Sequence, residues 1–121
     1  MHPTIHILLC TNDAETQLSL SSFADNHPDV SGMRMVDTWF EVLSAAPTYE
    51  LIFLDARIIP SPEELNRISN GASVILLAGD PNECRRFRGS RVRSCLITPI
   101  SWESFQWTIR SVQPMYAEET A

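Results

Sequence analysis

Four short, almost wholly apolar runs punctuate the chain: residues 4–10 (TIHILLC), 51–54 (LIFL), 74–78 (VILLA) and 94–97 (SCLI), with a weaker run at 32–36 (GMRMV). Their lack of polar alternation suits strands covered on both faces, the situation of a parallel sheet. Between the runs the apolar spacing changes to that of helices. Thr16, Leu20 and Phe23 recur at i, i+4, i+7, with Asn12 or Asp13 as the predicted N-cap. Trp39, Val42, Leu43 and Ala46 form a second stripe, capped by Asp37 or Thr38. Ser61-Pro62-Glu63-Glu64 has the form of a capping box with Pro at the first helical position, ahead of inward-facing Leu65 and Ile68. Asp80-Pro81-Asn82-Glu83 repeats that start signal, and Ser101 precedes a stripe of Trp102, Phe105, Ile109 and Val112.

The order is β-α five times. It predicts an open, doubly wound five-stranded parallel sheet with helices on both faces, (βα)5, joined by right-handed crossovers. Residues 1–113 are expected to form one domain, and the acidic stretch 114–121 a tail or linker. A chain of 121 residues buries roughly two thirds of its unfolded surface, enough to fold without metal or disulfides. No apolar run reaches the ~18 residues of a membrane span. The N-terminus lacks the basic region and cleavage site of a signal peptide. Cys10, Cys84 and Cys95 make an odd count with no CxxC, so the expectation is small buried thiols in a reducing cytoplasm. The net charge of −6 disfavours direct nucleic-acid binding. All nine basic residues are arginine, and lysine is absent altogether.

In such a sheet, function gathers at the carboxyl ends of the strands. The first strand ends in Cys10-Thr11-Asn12-Asp13, the third in Leu54-Asp55-Ala56-Arg57, the fourth in Ala78-Gly79-Asp80 and the fifth in Thr98-Pro99-Ile100-Ser101. Here the chain resembles the receiver domains of response regulators. LIFLDARIIP looks like the phosphoacceptor strand, ITPIS like the fifth-strand Lys-Pro motif with the lysine replaced, and VILLAG like the fourth strand. The likeness runs over residues 4–112 and implies the flavodoxin-like (CheY-like) fold, with a role in two-component, phosphorelay signal transduction.

The same resemblance implies that most of the phosphorylation chemistry is lost. In that family an acidic pair after the first strand holds Mg²⁺ beside the acceptor aspartate, because phosphoryl transfer depends on neutralising the phosphate oxygens. Thr11 and Asn12 stand at the acidic pair, and Asp13 is expected to cap the first helix instead. Thr98 replaces the lysine, and Ala78 stands at the switch hydroxyl. Asp55 keeps the phosphoacceptor position. Arg57 offers a nearby cation, although a surface arginine is the plainer reading. The segment from Asp55 to Ala78 is shorter than is usual, so the third helix should be short.

Elsewhere, Arg85, Arg86, Arg88, Arg91 and Arg93 crowd into CRRFRGSRVR, on the fourth helical segment and the approach to the fifth strand. Trp107 lies on the outer side of the last helix and should be exposed. Tryptophan and arginine are enriched at interface hot spots. The expected partner is therefore a protein, or a second copy of the chain, docking on the fourth helix, fifth strand and fifth helix. His2, His6 and His27 have no metal-site spacing, and no nucleophile–base set or phosphate loop is present. The expectation is a cytoplasmic, non-enzymatic binding module without cofactor, with weak Mg²⁺ binding only if Asp55 is functional. Two alternatives stay open: a working phosphoacceptor at Asp55, and a small-ligand sensor using the altered pocket.

Overall fold

The computed structural model describes residues 4–68 and 71–112. The strands are β1 (Ile5–Cys10), β2 (Val30–Val36), β3 (Leu51–Asp55), β4 (Ser73–Ala78) and β5 (Ser94–Ile97). All are parallel, in the order β2-β1-β3-β4-β5. The helices are α1 (Ala14–Asn26), α2 (Trp39–Ala45), α3 (Pro81–Arg86) and α4 (Trp102–Val112), with 3₁₀ turns at Ala46–Thr48 and Pro62–Arg67. The predicted (βα)5 architecture is present. The tail 114–121 lies outside the described residues.

Although the central strands are apolar throughout, their side chains alternate between two cores. Leu8 and Cys10 of β1, Ile52 and Leu54 of β3, and Val74 and Leu76 of β4 pack with Val42, Leu65 and Phe87. Ile7 and Leu9, Leu51 and Phe53, and Ile75 and Leu77 pack on the opposite side with Leu20, Phe105 and Ile109. Fully burying one such side chain stabilises the fold by about 1.5–3 kcal/mol. The central strands are therefore locked in register, and their carboxyl ends make a fixed platform. The switch in strand order lies between β1 and β3, where ligand crevices form in open sheets.

The predicted caps resolve into definite residues. Asp13 caps α1, Thr38 caps α2 and Asp80 caps α3. The Ser101 hydroxyl accepts from the Ser104 N–H at 3.1 Å to start α4. Two expectations change. The Ser61–Glu64 capping box does not form: the Ser61 side chain makes no cap bond, and the segment winds as six residues of 3₁₀ helix. Glu64 is drawn instead to Trp39 Nε1 (3.3 Å) and Arg67 Nη1 (3.0 Å). The third helix is thus short, as expected, and it is not an α-helix. Leu65 and Ile68 still point inward.

The second change concerns the cysteines. Cys10 is a buried free thiol, as expected, but Cys84 and Cys95 are joined as a disulfide. Their sequence separation of 11 carries no pairing signal; the turn from α3 back into β5 brings their Cα atoms to 6.0 Å. No helix among the described residues is long and apolar enough to cross a membrane.

Phe105 is fully buried, stacked on Phe53 at 5.9 Å, whereas Trp107 on the same helix is 68% exposed. Phe105→Ala should cost about 3–5 kcal/mol of stability. Trp107→Ala should stay within about 0.5 kcal/mol of the parent. Urea denaturation of the two variants side by side checks both values.

Candidate functional site

The carboxyl ends of β1, β3, β4 and β5 converge on Asp55, the last residue of β3. It is 5% exposed. A carboxylate so placed must be compensated, because burying an unpaired charge is costly. Thr11, at the end of β1, donates its hydroxyl to Asp55 Oδ2 at 2.9 Å. Arg57 supplies the rest. It donates its backbone N–H (3.0 Å) and Nε (3.2 Å) to Oδ1, and its Nη2 (2.9 Å) to Oδ2. The turn after β3, closed by the Ile58 N–H on the Asp55 carbonyl (3.0 Å), folds the chain so that residue i+2 reaches back over the carboxylate. Both carboxylate oxygens are thereby bound by one planar guanidinium, the geometry that arginine matches best.

The electrostatics follow from these contacts. Burial pushes the Asp55 carboxyl up, but hydrogen bonds from Arg57 and Thr11 and the charge of Arg57 outweigh it. The net effect holds the carboxyl below its ordinary range. The Arg57 guanidinium is raised in turn, first by its bond to Asp55. Arg57 is therefore no idle surface residue, even though 66% of its side chain is exposed.

The remaining pocket positions are chemically quiet. Asp13 turns into α1, accepting from Thr16 N (3.0 Å) and Thr16 Oγ1 (2.6 Å), and those bonds lower its carboxyl. Asn12 is exposed beside it. Thr98 donates its hydroxyl to the Ala78 carbonyl at 3.3 Å, and Ala78 is buried without a polar side-chain atom. A cavity of about 320 Å³ opens next to the ion pair, with Leu20, Leu77 and Ile100 among its apolar walls and Thr11, Thr98 and Asp13 among its polar ones.

Mg²⁺ requires hard oxygen ligands, usually including one or two free carboxylates. Among the described residues the single buried carboxylate, Asp55, is saturated by Arg57 and Thr11. The neighbouring positions carry a threonine and an amide, and Asp13 is engaged as a cap. Among the described residues, no group of three His, Cys, Asp or Glu side chains is arranged for a metal. The donor set does not fit Mg²⁺.

No family model matches the chain, and no curated protein does. Solved structures do. The signal receiver domain of an HD domain-containing protein from Pseudomonas fluorescens superposes with a TM-score of 0.80 at 17% identity, over 99% of this chain and 94% of that one. The chain has the fold of a signal receiver domain. The receiver domain of a modulated diguanylate cyclase from Desulfovibrio desulfuricans gives 0.75 at 16% identity, over 96% and 98%. The receiver domain of a sensor histidine kinase from Pseudomonas aeruginosa also gives 0.75, at 15% identity over 92% and 98%. That structure holds a magnesium ion in its active site cleft.

The arginine cluster does not stay together on the receiver fold. Arg85 and Arg86 lie on α3 and are exposed; Arg85 reaches Asn82 Oδ1 (2.6 Å) and Arg86 the Pro60 carbonyl (3.4 Å). Arg88 is exposed beyond the helix. Arg91 turns inward and donates to the carbonyls of Ile68 (3.2 Å) and Ala72 (2.8 Å). Arg93 bonds the Ser111 carbonyl at the end of α4. Arg91 and Arg93 thus brace the segment, while Arg85, Arg86 and Arg88 present charge outward. The disulfide between Cys84 and Cys95, which brackets all five, is the feature missed in the sequence. It depends on which residue of β5 faces α3, and that is visible only once the crossover is built.

Three outcomes follow. Arg57→Ala strands Asp55 with Thr11 and one backbone donor. It should cost about 1–3 kcal/mol and raise the Asp55 carboxyl, as read by urea denaturation and a carbon-detected NMR titration. In the parent, the lowered Asp55 contributes stability that is complete above the unfolded carboxylate value of about 3.9 and is lost as pH falls through the lower folded value. Asp55→Asn should therefore flatten the acid limb of the stability profile. Separately, Arg91→Ala should cost about 1–3 kcal/mol through its buried carbonyl partners, against about 0.5 kcal/mol or less for Arg88→Ala.

Proposed function

We propose that this chain is a receiver-type signalling domain that works without phosphorylation, as a protein-interaction or dimerisation module and not as an enzyme. The observation that carries this reading is the bidentate clasp of Arg57 on Asp55. Phosphorylation would require the carboxylate oxygen to attack a phosphoryl group while cations neutralise the surrounding charge. Here that oxygen is already bonded to a guanidinium and a hydroxyl. No lysine exists anywhere in the chain to meet the incoming oxygens. Thr98 and Ala78 provide no group for a phosphate to pull inward, since the Thr98 hydroxyl is spent on the Ala78 carbonyl.

Signalling through contact needs a surface rather than a reaction. Arg85, Arg86 and Arg88 project around α3, and Trp107 projects from α4, both elements flanking the edge strand β5. This surface suits an acidic protein partner or a second copy of this acidic chain, with charge providing orientation and tryptophan providing area.

Titration with Mg²⁺ and beryllofluoride, followed by tryptophan fluorescence, tests the reading. The expected result is no saturable response through millimolar Mg²⁺, in the parent and in Asp55→Asn alike. A saturable, Mg²⁺-dependent response that Asp55→Asn abolishes would replace this reading with that of a phosphoacceptor at Asp55.

A further inference from the structure

The disulfide joins two elements that little else holds together. α3 has six residues, none of them buried. A helix of that length is not stable on its own and depends on its tertiary anchors. Its first turn is fixed by Asp80, which accepts from Asn82 N and Glu83 N, and by Glu83 Oε1, which accepts the Gly79 N–H at 2.9 Å. Its far end is fixed by Cys84, bonded to Cys95 of β5, and by Phe87, which plugs the core. β5 is itself a four-residue edge strand of partly exposed residues. The segment closed by the bond runs from 84 to 95 and carries five of the nine cations of the chain.

The bond is also placed for chemistry. Both cysteines are only partly buried, so the bond lies at the margin of the core, and exchange depends on such access. Arg85 and Arg86 follow Cys84 in the chain, with their guanidinium groups on Asn82 and the Pro60 carbonyl. The third cysteine offers a contrast within the same molecule. Cys10 is fully buried, and burial, with Asp55 as the next cause, pushes its thiol up to about 12, which keeps it out of exchange.

We propose that Cys84–Cys95 is a thiol–disulfide exchange site, through which a dithiol partner decides whether α3 and the basic loop after it are held to β5. The exchange balances in two steps. One thiolate of the dithiol attacks a sulfur of the pair, forming a mixed disulfide, and the other cysteine leaves as a thiolate and takes up a proton. The second thiol of the partner then loses its proton and attacks the mixed disulfide. It closes the partner's own disulfide and releases the remaining cysteine, which is protonated. Two electrons and two protons pass from the dithiol to the pair. The oxidised form holds Arg85, Arg86 and Arg88 in one arrangement; the reduced form leaves the segment to its weaker ties, which include Phe87 and Val92 in the core, Arg86 on the Pro60 carbonyl, Arg91 on the Ala72 carbonyl, and Arg93 on the Ser111 and Val74 carbonyls. The site is independent of whether Asp55 accepts phosphate, since neither cysteine lines that pocket.

The full chain is treated with dithiothreitol in native buffer, alkylated and read by mass spectrometry, with amide hydrogen exchange measured before and after reduction. Before reduction, Cys84 and Cys95 should resist alkylation as one cystine. Afterwards both should be alkylated while Cys10 stays protected in the folded protein. Exchange over residues 81–95 should rise at least about tenfold, with β1 and β3 unchanged, the pattern of a local opening. The double variant Cys84→Ser, Cys95→Ser should show the reduced pattern and no response to the dithiol. The proposal is overturned if the two cysteines are alkylated as free thiols in the air-oxidised protein. It is equally overturned if reduction occurs only as the whole domain unfolds, or if reduction leaves exchange over 81–95 unchanged.

Discussion

Every residue of β3, from Leu51 to Asp55, is buried, and the strand is flanked on both edges and covered on both faces. A strand in that position admits apolar side chains along its length and releases its polarity only where the backbone leaves the sheet. Asp55 sits at that boundary, and the rest of the site is arranged around the problem it poses. Its charge must be answered by groups that the neighbouring strand ends can deliver. β1 delivers the Thr11 hydroxyl, and the turn after β3 delivers Arg57. The two cores on either side hold these strand ends in fixed register, so the clasp is set by the packing beneath it.

The chain thus solves internally a problem that a metal-binding pocket leaves to solvent and ions. A guanidinium on a short turn is always charged and carries its own hydrogen-bond geometry. A cation from solution must find a set of oxygens and shed water to reach them. Asp55 is nearly enclosed while 66% of the Arg57 side chain faces solvent, so salt screens the pair only in part. The cavity beside it is walled partly by Ala78 and Thr98.

Much of this was legible in the residues. The apolar runs located all five strands; burial on both faces leaves a plain mark in β1, β3 and β4, while the edge strands β2 and β5 are only partly covered. Asp13, Asp80 and Ser101 could be read as caps, because capping is a contact within three residues. The readings that changed depend on distance through space. Ser61-Pro62-Glu63-Glu64 has a capping signature, yet Glu64 is taken by Trp39, 25 residues earlier in the chain. Arg57 looks like a surface residue in the sequence, since nothing local states that the turn folds it back over Asp55. Arg91 resembles its neighbours in the cluster until the carbonyls of Ile68 and Ala72 come within reach. The pairing of Cys84 with Cys95 likewise requires the return of the chain from α3 into β5.

The Arg57 clasp also makes the present arrangement hard to leave by single steps. A lysine introduced at position 98 alone would set a second cation in the pocket where Arg57 already answers the charge of Asp55. An aspartate introduced at position 11 alone would remove a donor from Asp55 and set a like charge against it. Removing Arg57 alone would leave a nearly enclosed carboxylate without its counter-charge. Each substitution toward a metal-dependent pocket is unfavourable until the others are in place. The ion pair therefore acts as a ratchet, one that makes the effect of any change at positions 11, 57 or 98 depend on what already stands at the other two.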